Sequence, residues 1–397
     1  MLTAAGGRPL PALRQLAPLI GTAALVALTL ARLASIATGA RFIDFENHYL
    51  AAAGIVTHAG TFAYTRADAI VFPGASLLFT PLLSLPLPVA GRLFLVLNLA
   101  AAAALVHLSL RLYPARMRPQ PLAAVALGCA LLNTAPFVEA LRLGQLSIWI
   151  AALLLCALLA VSRFAGAASL ATALALKLSF GLFALLLVAR RRIWLCAVAA
   201  CLFAAIAASP ALFGNDLGEL YRAYLARIAS DFVPGAMNDP AVYGSNNLAL
   251  DVFRPDLLRR ALKLAVAALL AFSLWRERRK SSPGPIALLF VCSAAMSLSY
   301  HRLYDLVLVL PILLATVAGL LAHDRRRAAT PGLLLLAFFA IPQSAVLAVA
   351  ERIPPGPLLF ASPYAPQHLL HVFPLYGVAM LLLTAWSAWL LLAAENG

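Results

Sequence analysis

Charge is scarce in this 397-residue sequence: only 11% of residues are Asp, Glu, Lys or Arg, and only fifteen are acidic. Lysine occupies three positions, Lys177, Lys263 and Lys280, so arginine carries the basic side. Soluble domains are about a quarter charged, and a water-soluble globular protein is excluded. The five cysteines (Cys129, Cys156, Cys196, Cys201, Cys292) all fall inside apolar runs, and no CxxC pair is present. That excludes a disulfide framework and a CxxC metal site and leaves the thiols as packing residues. There is no DxD pair of the kind that holds a metal with a nucleotide sugar, and no soluble domain, internal repeat or low-complexity tail is visible.

What fills the chain instead is hydrocarbon. Hydrophobic residues make up 63% of it, and the mean hydropathy is +0.92. Apolar stretches near the roughly 17–25 residues that cross a bilayer as a helix recur from end to end. They predict about ten spans, near 16–40, 90–111, 121–138, 146–162, 193–213, 256–275, 285–299, 305–322, 331–350 and 372–393. The expected fold is an all-α polytopic membrane protein forming a single integral membrane domain. The first segment is too long for the apolar region of a signal peptide and reads as a signal anchor.

The net charge of +15 is distributed as a topology signal rather than as a nucleic-acid surface. With the N-terminus in the cytoplasm, the inside loops hold Arg8, Arg14, Arg111, Arg116, Arg118, Arg163, Arg190 to Arg192, "RERRK" (276–280) and "DRRR" (324–327). Most carboxylates fall on the other side. This is the positive-inside asymmetry; it places both termini in the cytoplasm and lets the basic loops meet anionic lipid. Residues 164–192 keep Arg163 and the Arg190–Arg192 triplet on one side only if they enter and return. A re-entrant helical hairpin turning near Lys177–Ser179 is expected, with a cavity beside it, because broken backbone at membrane depth must be buried or line one.

Two large loops face outward. Residues 41–89 carry Asp44 and Glu46 directly after the first span, followed by an apolar, proline-punctuated half. Residues 214–255 carry an apolar stripe, Leu217, Leu220, Tyr221, Tyr224, Leu225 and Ile228, at the spacing of an amphipathic surface helix.

Candidate chemistry concentrates at this outer side. Asp44, at the boundary of a span, can act as a base toward a hydroxyl; the plain alternative is a solvated loop acid. Glu46, two positions on, would point away from it on a helix, which disfavours a two-carboxylate site. Lys177, in the middle of an apolar run, can hold a phosphate or snorkel to the surface. "VEALRLGQLSIW" (138–149) offers Arg142 as a phosphate partner and Gln145 at a helix start, or else a tight polar turn. "SYHRLYD" (299–305) gathers Tyr300, His301, Arg302, Tyr304 and Asp305, as a leaving-phosphate and sugar site or as an interfacial belt. Asn246 and Asn247 can bind sugar hydroxyls or cap a helix.

In order along residues 40–311 these pieces are "DFENHYLAAAGIVTHAG…FAY", "FPGASLLFTPLLSLPL", "LGQLSIWIAALLL", "ALALKLSFGLFALLLVARRR", "SNNLAL" and "SLSYHRLYDLVLVLP". The ordered set resembles glycosyltransferase family 87, the polyprenol-phosphate-mannose-dependent, mannosyltransferase-like group with the GT-C fold. The chain departs from the family pattern at "KLSFG", which lacks a proline after the lysine, and at "NNLAL". The resemblance implies an inverting, metal-independent transferase. It would move a hexose, mannose by family expectation, from a polyprenyl-phosphate donor to an extracytoplasmic lipid or glycan acceptor. Asp44 would be the base. Arg142, Gln145, Lys177, His301 and Arg302 would attend the donor phosphate, and Glu46, Tyr49, Asn246, Asn247 and Tyr300 the acceptor or sugar. A donor dissolved in the membrane needs no nucleotide pocket, and none is legible.

Three alternatives remain open on the sequence. They are a transporter or flippase for a lipid-linked sugar, another GT-C enzyme such as an oligosaccharide ligase, and a scaffold of an envelope complex. The alanine-rich, arginine-over-lysine composition fits the inner membrane of a bacterium with a GC-rich genome.

Overall fold

In hydrocarbon a backbone must satisfy its own polar groups, which favours the helix. The computed structural model describes residues 11–40, 42–66, 71–113, 120–189, 192–231, 256–278, 284–298, 303–341 and 373–393, and every regular element among them is helical. The first six helices are α1 (Pro11–Gly39), α2 (Ile43–Val56), α3 (Gly60–Arg66), α4 (Pro73–Ser76), α5 (Leu87–Leu110) and α6 (Pro121–Leu132). Then come α7 (Ala135–Leu143), α8 (Ser147–Leu159), α9 (Arg163–Leu176), α10 (Gly181–Ala189), α11 (Ile193–Ala208) and α12 (Leu217–Asp231). The last are α13 (Asp256–Glu277), α14 (Pro285–Leu298), α15 (Val309–Ala322), α16 (Arg326–Ala340) and α17 (Phe373–Ala393).

Four stretches among the described residues are long and apolar enough to cross a membrane: Pro18–Gly39, Leu87–Leu110, Ile193–Phe213 and Asp305–Ala322. A fifth arises if α6 and α7, bent by 67° to each other, count as one. The other apolar helices are shorter. α8, α9 and α14 have 13 or 14 residues, about 20 Å at 1.5 Å per residue. The stretch expected to span at 121–138 is therefore broken. Thr134 is extended (φ −71°, ψ 151°), and Pro136 sits in the first turn of α7, where a missing N–H breaks no helical hydrogen bond. Asn133 takes up the break: its Nδ2 donates to Thr29 Oγ1 at 2.7 Å and Cys129 O at 2.8 Å. Its carbonyl accepts from Arg32 Nη1 at 2.8 Å. Arg32, an arginine inside α1, thus spends a donor on the carbonyl end of a helix, a favourable place for a cation.

One apolar core runs from Ile36 of α1 to Leu391 of α17, and α8 lies at its heart. α8 is apolar on every side, as a fully enclosed helix is, and packs against α5 and α9, while α9 packs on α11. Helix association in lipid depends on close packing and interhelical hydrogen bonds. Between α14 and α17 the Ser293–Ser387 hydroxyls meet at 3.4 Å and Ser297–Thr384 at 3.2 Å.

α9 stops at Lys177, whose backbone is extended (φ −157°, ψ 102°), and a 3₁₀ turn, Leu178–Phe180, leads into α10. Both ends of this excursion lie at one end of α8. Arg192 Nη1 donates to Leu158 O at 2.9 Å, and Leu195 packs directly on Gly166.

α2, α3, α4 and α12 form a cap on the bundle. Phe72 joins them: its ring is 5.2 Å from Phe203, 5.5 Å from Tyr221 and 5.9 Å from Tyr224. The apolar stripe of α12 divides, with Leu220 buried in the cap and Leu225 60% exposed. Asp216 caps α12, its Oδ1 accepting from Glu219 N at 2.8 Å. Residues 232–255, the second part of the expected outer loop 214–255, lie outside the described residues.

Gly74 fixes how closely the cap sits. A Cβ there would come within 1.9 Å of Ile206 O, a backbone atom that cannot step aside. Gly74→Ala is expected to cost about 1–3 kcal/mol, read as a lower melting temperature of the detergent-purified protein, with unchanged melting counting against this close approach.

Candidate active site

The site grows from two tight approaches around one glycine. α7 ends at Gly144 in the left-handed conformation (φ 69°), and Gln145 N reaches back to Ala140 O at 2.8 Å. Glycine is needed there for its φ and for space, since a Cβ would lie 2.8 Å from Phe45 Cβ and 3.3 Å from Phe42 Cβ. Phe42, the residue before α2, is itself left-handed at φ 46°. A non-glycine residue held there stores about 1–3 kcal/mol of strain. Phe42 packs against Gly91 of α5, while Phe45 stacks on Phe94 with ring centroids 4.7 Å apart. The first turn of α2 is clamped between α5 and the end of α7.

That clamp delivers Asp44 to Gln145. The Gln145 amide Nε2 donates to Asp44 Oδ2, joining side chains 101 positions apart. Asp44 is half-buried. Glu46 shares the first turn of α2 but sits two residues on, about 200° round the helix. Tyr49 donates its hydroxyl to Leu85 O at 2.9 Å; in this conformation it braces α2 against the start of α5. The Arg142 side chain is 60% exposed and lies 3.6 Å from Glu139.

A second cluster lies two residues further along. Ser147, the first residue of α8, donates Oγ to Asp305 Oδ1 at 2.6 Å, and Lys177 Nζ pairs with Asp305 Oδ2. Asp305 is fully buried in the 3₁₀ turn Leu303–Val307, which packs on α7. Both of its oxygens are engaged, and the dipole of α8 favours an anion at that end. One short stretch, Gln145 to Ser147, therefore binds Asp44 on one side and the Lys177–Asp305 pair on the other.

Lys177 stands where the helix breaks, with the Asp305 carboxylate as its partner. Its partner, Asp305, was legible only as a member of "SYHRLYD". A cation at membrane depth requires an anion, and Asp305 is the acid at the start of an apolar run; that signal names it. Ser147 gave no signal. Tyr300, His301, Arg302, Asn246 and Asn247 lie outside the described residues.

His48, one turn on from Asp44 on α2, was not singled out by its sequence. It is buried, stacks on Phe79 with centroids 4.9 Å apart, and its Nδ1 has no hydrogen-bond partner among the described residues. Burial pushes its imidazole down to about 3, so it is neutral near pH 7.

A model of glycosyltransferase family 87 matches residues 73–300, more than half of the chain. The matched segment contains Gln145, Ser147 and Lys177; Asp44 lies before it and Asp305 just after it. Comparison with curated proteins gave no significant match, and comparison with solved structures gave none.

Two outcomes follow from this geometry. Lys177→Met removes the cation paired with the Asp305 carboxylate and is expected to cost about 3–5 kcal/mol, while Lys177→Met/Asp305→Leu recovers much of that loss. Melting curves of the two single variants and the double decide it, and strictly additive losses would refute the coupling. His48 titrates at about 3 when folded against an ordinary 6.5, so between those values the unfolded chain binds the extra proton. Its contribution to stability is lost as pH falls through that window. The melting temperature of wild type relative to His48→Leu is expected to drop on moving from about pH 7.5 to about pH 5; a constant difference would show that His48 is not buried neutral.

Proposed function

The chain belongs to glycosyltransferase family 87, and on that premise we propose that it transfers a hexose from a polyprenyl-phosphate donor to an extracytoplasmic lipid or glycan acceptor, with inversion. Mannose is the sugar that the family resemblance implies. The observation that carries the reading is the contact between Gln145 and Asp44. It holds a half-buried carboxylate beside the start of α8, while the neighbouring Glu46 lies about 200° round the helix.

Asp44 is the general base. It takes the proton of the acceptor hydroxyl as that oxygen attacks the anomeric carbon from the face opposite the phosphate. The anomeric carbon–oxygen bond breaks in the same displacement, and polyprenyl phosphate leaves with the electron pair. Gln145 holds one oxygen of Asp44 and so sets the direction from which the base meets the hydroxyl. Proximity of this kind removes the entropy of assembling the reactants. Lys177, His301 and Arg302 are assigned to the donor phosphate, with the Lys177 ammonium kept in register by Asp305. A monophosphate leaving group develops modest charge, which cationic side chains can meet without a metal.

The face of the membrane follows from charge. The return of the 163–192 segment to one end of α8, through Arg192 and Leu158, supports a re-entrant hairpin with its arginines in the cytoplasm. The opposite end, carrying Asp44 and Gln145, is then extracytoplasmic.

Protein reconstituted with polyprenyl-phosphate-mannose and a membrane lipid extract is expected to transfer sugar. Asp44→Asn should lose transfer by about 100-fold or more, the scale of general-base catalysis, while still binding donor. Gln145→Ala should lower kcat with donor affinity kept. Full transfer by Asp44→Asn would remove Asp44 from the mechanism, and donor translocation without transfer by wild type would favour a lipid-linked sugar carrier instead.

A further inference from the structure

At the end of the bundle where α15 turns into α16, a groove of about 630 Å³ is lined by Asp324, Arg325, Arg326, Arg327, Ala328 and Trp389. Its shape is built by close packing. Trp386 Nε1 donates to Ala328 O at 3.0 Å, tying α17 to α16. Gly332 lies so near α15 and α17 that a Cβ would come within 2.5 Å of Trp386 and 2.6 Å of Val317. Asp324 adopts the left-handed conformation (φ 55°) that turns the chain into the arginines. The groove is thus held by three helices.

Its charge is unbalanced. Arg325, Arg326 and Arg327 are all exposed, and the one carboxylate lining the groove, Asp324, is already 3.0 Å from Arg326. More cation stands beside it: Arg276 Nη1 donates to Leu391 O at 3.3 Å, bringing the end of α13 to the end of α17. There Arg278 lies 5.1 Å over the ring of Trp275, and Glu277 between them is buried. Trp275 is 50% exposed and Trp389 51%. Half-exposed tryptophans at the end of an apolar helix mark the depth of lipid headgroups.

We propose that this groove binds the phosphate headgroup of an anionic phospholipid from the leaflet that meets this end of the bundle. The guanidiniums offer planar, forked donors suited to phosphate oxygens, and the Trp389 ring covers the glycerol and upper acyl carbons. That this leaflet is the cytoplasmic one rests on the topology proposed above; the binding itself does not. The ligand differs in site from the sugar donor, because the groove shares no residue with the Asp44 and Lys177 clusters.

The test is native mass spectrometry of the full chain released from nanodiscs of phosphatidylcholine mixed with phosphatidylglycerol. Wild type is expected to retain phosphatidylglycerol preferentially. Arg325→Gln/Arg327→Gln should reduce that retention roughly tenfold or more, since each removes a cation near an anionic surface. Arg325→Lys/Arg327→Lys should retain an intermediate amount, and Trp389→Ala should weaken retention without abolishing it. Equal retention of both lipids by wild type, or unchanged retention by the glutamine variant, would overturn the proposal. Displacement by inorganic phosphate at low millimolar concentration would overturn it too, assigning the groove to a soluble anion. Sugar transfer in pure phosphatidylcholine is expected to be the same for wild type and the glutamine variant. Lipid retention is read without turnover, so failure of the proposed transferase activity would leave this result standing.

Discussion

An ionised group cannot stand alone in a medium that does not solvate it. Where this chain places an ammonium inside an apolar bundle, the surrounding architecture is arranged to meet it. Lys177 sits where α9 breaks, and its partner Asp305 comes from a turn 128 positions away, with Ser147 of α8 donating to the carboxylate's other oxygen. Removing either charge costs far more than the pair contributes relative to an apolar core. The pair therefore specifies an arrangement more than it adds stability. It locks the break in the α9–α10 excursion to the start of α8 and to the turn that carries Asp305.

The start of α8 is also where Asp44 is held. Gln145 and Ser147 are separated by a single residue, so the register that satisfies Asp305 also sets the position of the Asp44 contact. Gly144 makes this possible by allowing Phe42 and Phe45 to pack against the chain reversal. Strain at Phe42 and an Nδ1 on His48 with no partner among the described residues lie within the same first turns of α2. Departures from local ideality cluster where the proposed chemistry is, as they do at sites whose geometry is fixed by surroundings rather than by local preference.

Much of this was legible in the sequence. Hydropathy marked the helical membrane class, the order of short motifs marked the family, and the cost of an isolated lysine marked position 177. The stripe of α12 came from simple helical spacing. What was not legible has physical reasons. Hydropathy averages over windows and does not register a bend at Asn133, which depends on an arginine and a threonine of α1 more than a hundred residues earlier in the chain. Gln145 read as a ligand contact because a polar residue at a helix start suits an anion; which anion it meets depends on the close approach at Gly144, a tertiary fact. The tie from Tyr49 to Leu85 O, likewise tertiary, is not written in the residues around Tyr49.

The central claim is that one carboxylate, held by Gln145, acts as base in a single displacement. The stereochemistry of transfer tests it most directly. Proton NMR of the glycoside formed from polyprenyl-phosphate-mannose should show the anomeric configuration opposite to that of the donor. Retained configuration would require a double displacement or a front-face attack in place of a single in-line displacement. It would contradict the role given to Asp44.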